Sequence, residues 1–209
     1  MQSLEKLKIT VQKIMEKNDS AHDFEHIIRV YKNAQKIGKK ENANMKLVLA
    51  AVLLHDIISF PKSDKKSKTS SIKSSLATQR ILQNHGYDKD EIKTISDAIR
   101  DHSFSRGVVP NTIEGKVLQD ADRLDALGVI GIARTFSVGG SGKRPFYNRS
   151  DPFCQKRNPD DNKWTLDHFY RKLLLLEKKM NTKTAQKEAK RRTKIMKRFL
   201  DDFKKEIYP

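Results

Sequence analysis

The stretch Met45-Lys46-Leu47-Val48-Leu49-Ala50-Ala51-Val52-Leu53-Leu54-His55-Asp56 decides the fold of this chain. Apart from Lys46 it is apolar on every side until its final histidine and aspartate. A helix that is hydrophobic all round is buried inside a protein. The sequence therefore predicts a central buried helix that leads into the dipeptide His55-Asp56.

Amphipathic helices are predicted on both sides of this central helix. Apolar residues recur at three- and four-residue spacing in most of the chain, whereas no run of residues alternates as a strand would. The predicted helices are an opening one that ends before Asn18, then His22 to about Lys40, Ile72 to Asn84, Asp88 to about His102, a segment from about Ile113 through Phe136, Trp164 to about Lys179, and Thr182 to about Ile207. We therefore predict an all-α protein with one domain over residues 1–209.

Residues 138–163 lose the helical pattern. Six glycines and prolines lie there, together with Lys143, Arg144, Arg149 and Arg157. A long irregular loop in a compact domain is usually functional or disordered, and both interpretations stay open for this basic loop.

The chain is strongly basic, with 43 Lys and Arg residues against 26 acidic residues and a net charge of +17. Such a surplus attracts phosphates, nucleic acid or anionic membranes, but it does not choose among them. Much of it lies within Lys62–Lys73 and Lys163–Lys205, where a solvated helix face is the alternative. The single cysteine, Cys154, excludes an internal disulfide and a cysteine cluster for zinc.

No segment is apolar for long enough to suggest a signal peptide or a membrane span. We therefore expect a cytoplasmic protein without a membrane partner. The oligomeric state is not predicted.

Three separated motifs predict a metal site. They are Ala21-His22-Asp23-Phe24-Glu25-His26, the pair His55-Asp56, and Leu118-Gln119-Asp120-Ala121-Asp122. Imidazole nitrogens and carboxylate oxygens are ligands for divalent ions, and ligands on packed helices converge across long sequence separations. His26, His55, Asp56 and Asp122 would leave one or two positions open, as in a catalytic site. The alternative is that the His-Asp pair only caps its helix or forms a core hydrogen bond.

This ordered set resembles the H…HD…D signature of the HD-domain metal-dependent phosphohydrolases, over about Ser20 to Arg134. It is similar in particular to small bacterial HD proteins regarded as nucleotide pyrophosphohydrolases. That likeness lies in the run Asp120-Ala121-Asp122-Arg123-Leu124-Asp125-Ala126-Leu127-Gly128, in His102-Ser103-Phe104, and in His168 to Thr182.

The resemblance implies a helical HD domain, with a metal-binding core over about 20–134, that hydrolyses a phosphoester or phosphoanhydride of a nucleotide. His26, His55, Asp56 and Asp122 would hold one divalent ion, with Mn²⁺ favoured over Mg²⁺, Co²⁺ or Ni²⁺. Ile57-Ile58-Ser59-Phe60 follows the dipeptide where some HD hydrolases have an acidic pair. This departure argues against the alarmone-hydrolase and deoxynucleotidase branches.

Two further histidines are candidates for catalysis. His22 lies four residues before His26, so it could support that ligand, donate a proton or bind the ion; alternatively it caps the helix with Asp23. His102 could hydrogen-bond a substrate phosphate, or it could end its helix as a favourably placed cation.

Several basic side chains are candidates for substrate binding. Lys143, Arg144 and Arg149 would bind the β- and γ-phosphates, because guanidinium forks and flexible backbone suit phosphate oxygens. Arg29 is a further candidate for a substrate contact. His168 and Lys172 could close the pocket or could be ordinary surface residues.

The favoured mechanism is attack of metal-activated water on a nucleoside triphosphate, which gives a monophosphate and pyrophosphate. A phosphatase and an HD-type phosphodiesterase or nuclease are the enzymatic alternatives. The alternative without catalysis is a basic nucleic-acid-binding module with a structural metal. Nucleic acid is not the favoured partner, because the chain lacks the interleaved aromatic residues of a stacking platform.

Overall fold

The computed structural model of the protein describes residues 2–16, 24–60 and 64–208. All regular secondary structure in these ranges is helical, which confirms the all-α prediction. The chain divides into two compact units, residues 1–122 and 123–209. None of the helices within the described ranges is long and apolar enough to cross a membrane.

The first unit is organised around the predicted central helix. Helix α3 packs against four neighbours, α1, α2, α4 and α5. Every residue from Val48 to Leu54 in α3 is buried, as the apolar sequence predicts. The helices are α1 (Gln2–Met15), α2 (Phe24–Lys40), α3 (Met45–Leu54), α4 (Ser70–Asn84), α5 (Lys89–Asp101) and α6 (Ile113–Asp125), and short 3₁₀ helices span Lys65–Thr69 and Phe104–Arg106.

Helices α3 and α5 each begin with a side-chain cap and end on a histidine. The Asn44 side chain accepts a hydrogen bond from the Lys46 amide at the start of α3. Asp88 and Glu91 form a reciprocal capping box at the start of α5. At the opposite ends, His55 follows α3 and His102 follows α5. Capping satisfies amides that would otherwise lack partners, so the first turns of α3 and α5 are well defined.

The second unit contains α7 (Gly128–Ser141), α8 (Asp167–Arg171) and α9 (Lys183–Ile207). Helices α7 and α9 pack together. Their contact includes Phe136, whose ring centroid lies 5.9 Å from that of Phe199, and Phe199 stacks on the fully buried Phe169. These aromatic rings line one side of a core that consists mainly of buried aliphatic side chains such as Leu166, Leu173 and Met196.

Several helical boundaries differ from the sequence expectation. The segment predicted from Ile113 to Phe136 is two helices, because the chain turns at 126–127 and Gly128 adopts a left-handed φ of 77°. Helix α7 then continues to Ser141, so the irregular loop begins at Gly142 and not at 138. Gly139 lies within the helix, and the position requires glycine because a Cβ there would lie 2.3 Å from Thr165 Oγ1.

The predicted helix from Trp164 to Lys179 is present as α8 and two 3₁₀ helices, Leu173–Leu175 and Glu177–Lys179. Lys172 leaves the helical region with φ −136° and ψ −59°, which ends α8. The basic loop before α8 is fixed by the fully buried carboxylate of Asp167. Its oxygens accept hydrogen bonds from Arg157 Nη2 at 2.7 Å and from the Asp160 amide at 2.6 Å.

Gly131→Ala should lower the stability of the protein. A Cβ at this position in α7 would lie 2.1 Å from the carbonyl oxygen of Ala126, and backbone cannot move aside cheaply. We expect a loss of about 1–3 kcal/mol in the free energy of unfolding, measured by urea titration.

The matched control is Gly140→Ala in the same helix. A Cβ there meets no atom within 4 Å, so helix propensity should leave stability unchanged or raise it by up to about 1 kcal/mol. Equal effects of the two substitutions would contradict the close approach at Gly131.

Candidate metal centre

The three separated motifs meet within the first unit. His26 lies on α2, His55 and Asp56 follow α3 directly, and Asp122 lies near the end of α6. His26 Nε2 is 3.4 Å from Asp122 Oδ1 and 4.0 Å from Asp56 Oδ2. His55 Nε2 is 3.7 Å from Asp56 Oδ2 and 3.9 Å from Asp122 Oδ1. Both imidazoles therefore direct Nε2 towards the same two carboxylates.

The ring of His55 is fixed in the tautomer that a metal ligand needs. Its Nδ1 lies 2.7 Å from the carbonyl oxygen of Val52, and a carbonyl can only accept, so Nδ1 carries the proton. Nε2 then presents a lone pair towards the carboxylates. This atom is buried and has no hydrogen-bond partner. A buried polar atom without a partner is costly, and a bound cation would remove that cost.

The protonation states in the cluster also suit a cation. Burial lowers the pKa of His55, and this effect exceeds the opposing effect of Asp56. Desolvation alone would raise the pKa of Asp122, but its hydrogen bond with His26 and the nearby imidazoles hold that pKa well below its usual range. At neutral pH His55 is therefore neutral and Asp122 is ionised, which are the forms that coordinate metals.

The cluster is closed on the imidazole side and open on the carboxylate side. The side chains of His26 and His55 are 2% and 0% exposed, whereas those of Asp56 and Asp122 are 14% and 28% exposed. His26, His55 and Asp56 each offer a ligand atom, all within 4.8 Å of one another. This mixed nitrogen and oxygen set fits a divalent ion with room for water or substrate, as in catalytic sites.

His102 joins this cluster from the end of α5. Its Nε2 lies 3.8 Å from Asp56 Oδ1, and its ring centroid is 5.0 Å from that of His55. Its Nδ1 lies 2.6 Å from the carbonyl oxygen of Ile99, the same arrangement that His55 makes with Val52. His102 thus ends its helix and also faces Asp56. Its contact with a substrate phosphate stays a prediction.

Gln119 is a supporting residue that the sequence analysis missed. Its side chain is fully buried, and Nε2 donates to the carbonyl oxygens of Asp101 at 3.0 Å and Val108 at 2.9 Å. Because Gln119 lies on α6 three residues before Asp122, it ties the segment around His102 to the helix that carries Asp122. The available signal was a glutamine between the apolar Leu118 and the motif that starts at Asp120.

The other predicted site residues lie in different parts of the chain. Arg29 lies on α2 one turn after His26 and is half-buried. His22 lies outside the described residues, so the structure gives it no position. The remaining candidates, Lys143, Arg144, Arg149, His168 and Lys172, belong to the second unit.

Within the second unit, Asp161 engages two of the predicted substrate-binding residues. Arg144 Nη1 donates to its carbonyl oxygen, and His168 Nδ1 lies 2.8 Å from its carboxylate. Lys143 and Arg149 are exposed, and neither forms an ion pair with the described part of the chain. Lys143 and Arg149 are therefore the more available cations of this group.

Comparison with known proteins defines the class of this protein. A model of the HD domain family matches residues 23–127, the range that contains all four predicted metal ligands. The chain belongs to this family. It is an HD-superfamily hydrolase, and therefore an enzyme of the metal-dependent phosphohydrolase class.

Particular relatives match over nearly the whole chain. YpgQ of Bacillus subtilis strain 168 is 34% identical over 99% of this chain and 95% of its own length. A crystal structure of YpgQ in complex with ADP is similar with a TM-score of 0.77, at 32% identity, and covers 99% of this chain and 96% of YpgQ. An HD-superfamily hydrolase from Bacillus thuringiensis is similar with a TM-score of 0.77, at 36% identity, over 98% and 96% of the two chains.

Gln119→Met should weaken the site without removing any of its four candidate ligands. Methionine keeps the length of the side chain but leaves the carbonyl groups of Asp101 and Val108 without this donor. We expect the free energy of unfolding to fall by about 1–3 kcal/mol. Because α6, which carries the candidate ligand Asp122, then loses its tie to the end of α5, Mn²⁺ affinity measured by calorimetry should fall as well, by up to about tenfold.

The control for this change is Gln186→Met on α9, where Nε2 donates to the Met180 carbonyl in the second unit. We expect it to alter stability slightly and to leave the affinity for Mn²⁺ unchanged. An unaltered affinity in Gln119→Met would show that the glutamine does not position the metal centre.

Proposed function

We propose that this hydrolase is a (deoxy)nucleoside triphosphate pyrophosphohydrolase, which cleaves between the α- and β-phosphates to give a monophosphate and pyrophosphate. The observation that carries the proposal is the cluster of His26, His55, Asp56 and Asp122, with its buried imidazoles and half-open carboxylates. The ADP in the YpgQ crystal structure supports a nucleotide as the substrate.

In this proposal the four side chains hold one divalent ion, with Mn²⁺ as the first candidate and Mg²⁺, Co²⁺ or Ni²⁺ as substitutes. When bound, the ion would lower the pKa of a water molecule and neutralise charge on phosphate oxygens. A second ion would need further histidine ligands between Asp56 and Asp122, where His85 and His102 are the candidates. The Nε2 atom of His85 instead lies 3.4 Å from Thr10 Oγ1. This contact favours a centre with one metal ion.

His102 is our candidate for moving the proton of the attacking water. Its Nδ1 is committed to the carbonyl group of Ile99, so only Nε2 can accept or release a proton. Asp56 lies 3.8 Å from that nitrogen and would orient the ring and balance an imidazolium charge. His22 stays a second candidate for this role on sequence grounds.

The proposed contacts with the polyphosphate are basic side chains. Lys143 and Arg149 are favoured, because both are exposed and neither is engaged by Asp161 as Arg144 and His168 are. Arg29, Arg144, His168 and Lys172 stay candidates for substrate contacts. A flexible ammonium group and a guanidinium fork would bind the leaving pyrophosphate through charge-assisted hydrogen bonds.

The alternatives differ from the proposal in their products. A phosphatase would release only orthophosphate, and a phosphodiesterase or nuclease would act on oligonucleotides and not on mononucleotides. A module that only binds nucleic acid around a structural metal would hydrolyse neither. The open carboxylate side of the cluster favours catalysis over a purely structural metal.

The direct test is to incubate Mn²⁺-loaded protein with a panel of ribo- and deoxyribonucleotides and to resolve the products by ion-exchange chromatography. Monophosphate and pyrophosphate in equal amounts are expected. Asp122→Asn, which keeps the shape but removes the charge, should lower Mn²⁺ affinity and turnover together. His85→Gln is the matched control and should retain activity, since His85 faces Thr10. Orthophosphate in place of pyrophosphate as the released phosphate would replace the proposal with a phosphatase.

His102→Gln separates proton transfer from metal binding. Glutamine can still hydrogen-bond but cannot exchange a proton at neutral pH. We expect kcat to fall by about 10²–10⁴-fold, with a small change in KM and in Mn²⁺ affinity. If kcat falls by no more than about threefold, proton transfer by His102 is ruled out.

A further inference from the structure

A row of lysines runs along the exposed side of α9 in the second unit. Its members recur every three or four residues, which places them on one face of the helix. At about 1.5 Å per residue the row is about 21 Å long. We call it the lysine row: Lys183, Lys187, Lys190, Lys194 and Lys197, all of them exposed, with Arg191 and Arg198 beside it.

The lysines of the row lack the ion pairs that other cations of the same helix form. Arg191 pairs with Glu188 at 2.8 Å, and Lys205 pairs with Asp202 at 2.9 Å. Among the described residues, no carboxylate lies within ion-pair distance of any lysine in the row. Like charges at this spacing destabilise a helix. The row therefore lowers the stability of the isolated protein through charge repulsion, and an anionic partner would remove that repulsion.

The row also borders a shallow groove. Four of its lysines line the groove together with Arg191 and with Glu177, whose carboxylate forms no ion pair within the described ranges. A positively charged concave surface concentrates anions and accelerates their association. The shape and charge together suit an extended polyanion better than a single small anion.

The composition of the helix distinguishes among polyanions. Residues 183–198 contain no aromatic side chain, so they offer no platform on which the bases of a single strand could stack. Their exposed residues are cations and Gln186, while the apolar face of α9 packs on α7. A helix that inserts into a membrane interface needs a free apolar face, and α9 has none, so a membrane would hold this helix by charge alone.

We propose that the lysine row binds the sugar-phosphate backbone of a duplex nucleic acid without sequence preference. Ammonium groups repeated along one face of a helix would contact successive phosphates of a backbone, and such contacts release counterions from the duplex. This surface goes beyond the proposed triphosphate hydrolysis. It would hold the enzyme on a polyanion that it does not have to cleave.

The experiment compares two triple variants of the full-length protein that remove the same charge. Lys190, Lys194 and Lys197 are changed to Gln in one, and Lys65, Lys66 and Lys68, which are exposed in the first unit, are changed to Gln in the other. Each variant lowers the net charge from +17 by three. Fluorescence anisotropy with a duplex of about 20 base pairs is measured between about 50 and 200 mM salt.

The parent protein should show a logarithmic salt slope of about −4.5, which corresponds to about five phosphate contacts. The variant of the row should flatten this slope by about 2.7, and the control variant should leave it unchanged. Thermal melting should show the variant of the row to be at least as stable as the parent, because it loses like-charge repulsion.

Three results would overturn the proposal. Equal flattening in both variants would mean that binding follows net charge and not the row. An unchanged slope in the variant of the row would place the contacts elsewhere. Binding to phosphatidylserine vesicles but not to the duplex would make the row a membrane surface.

Discussion

A buried imidazole nitrogen without a hydrogen-bond partner is the constraint on which the first unit depends. His55 can expose Nε2 to the carboxylates only because its Nδ1 is held by Val52, one turn earlier in α3. The position of this last turn is set by the packing of α3 against α1, α2, α4 and α5. The apolar core therefore does more than stabilise the unit. It fixes the direction of the lone pair on His55 Nε2, which faces Asp56 and Asp122 beside His26.

The same device occurs twice, and this repetition explains how a helical unit can build a precise site at helix ends. His102 is held through Nδ1 by Ile99 in the way that His55 is held by Val52. Helix ends are more mobile than helix centres, so a site built there needs additional ties. Gln119 provides one by donating to the carbonyl groups of Asp101, the last residue of α5, and of Val108, which follows it.

Most of this centre could be predicted from the sequence, because its determinants are local. The apolar run before His55-Asp56 fixes a buried helix, and the four candidate ligands occur in recognisable motifs. Gln119 and the closeness of His102 to Asp56 could not be predicted, since both depend on how α5 and α6 pack. Periodicity also could not divide the segment from Ile113 to Phe136, because the break depends on the backbone of one glycine, Gly128.

The irregular part of the second unit was the least predictable for a different physical reason. Glycine and proline predict where regular structure stops, but Gly139 and Gly140 remain helical, and the missing Cβ of Gly139 lets Thr165 approach the helix closely. Likewise the positive charge of α9 was visible in the sequence as a total. Which lysines pair with carboxylates and which stay unpaired depends on the placement of side chains along the helix.

The endings of α3 and α5 at the metal centre have an electrostatic consequence. Each helix turns its carboxyl terminus, which carries a partial negative charge, towards the cluster. A divalent ion would thus gain attraction from peptide dipoles in addition to two carboxylates and neutral imidazoles. With one divalent ion and two carboxylates, the centre would then carry no net formal charge. An incoming polyphosphate would therefore not be repelled, and no excess of anionic ligands would hold the ion too tightly.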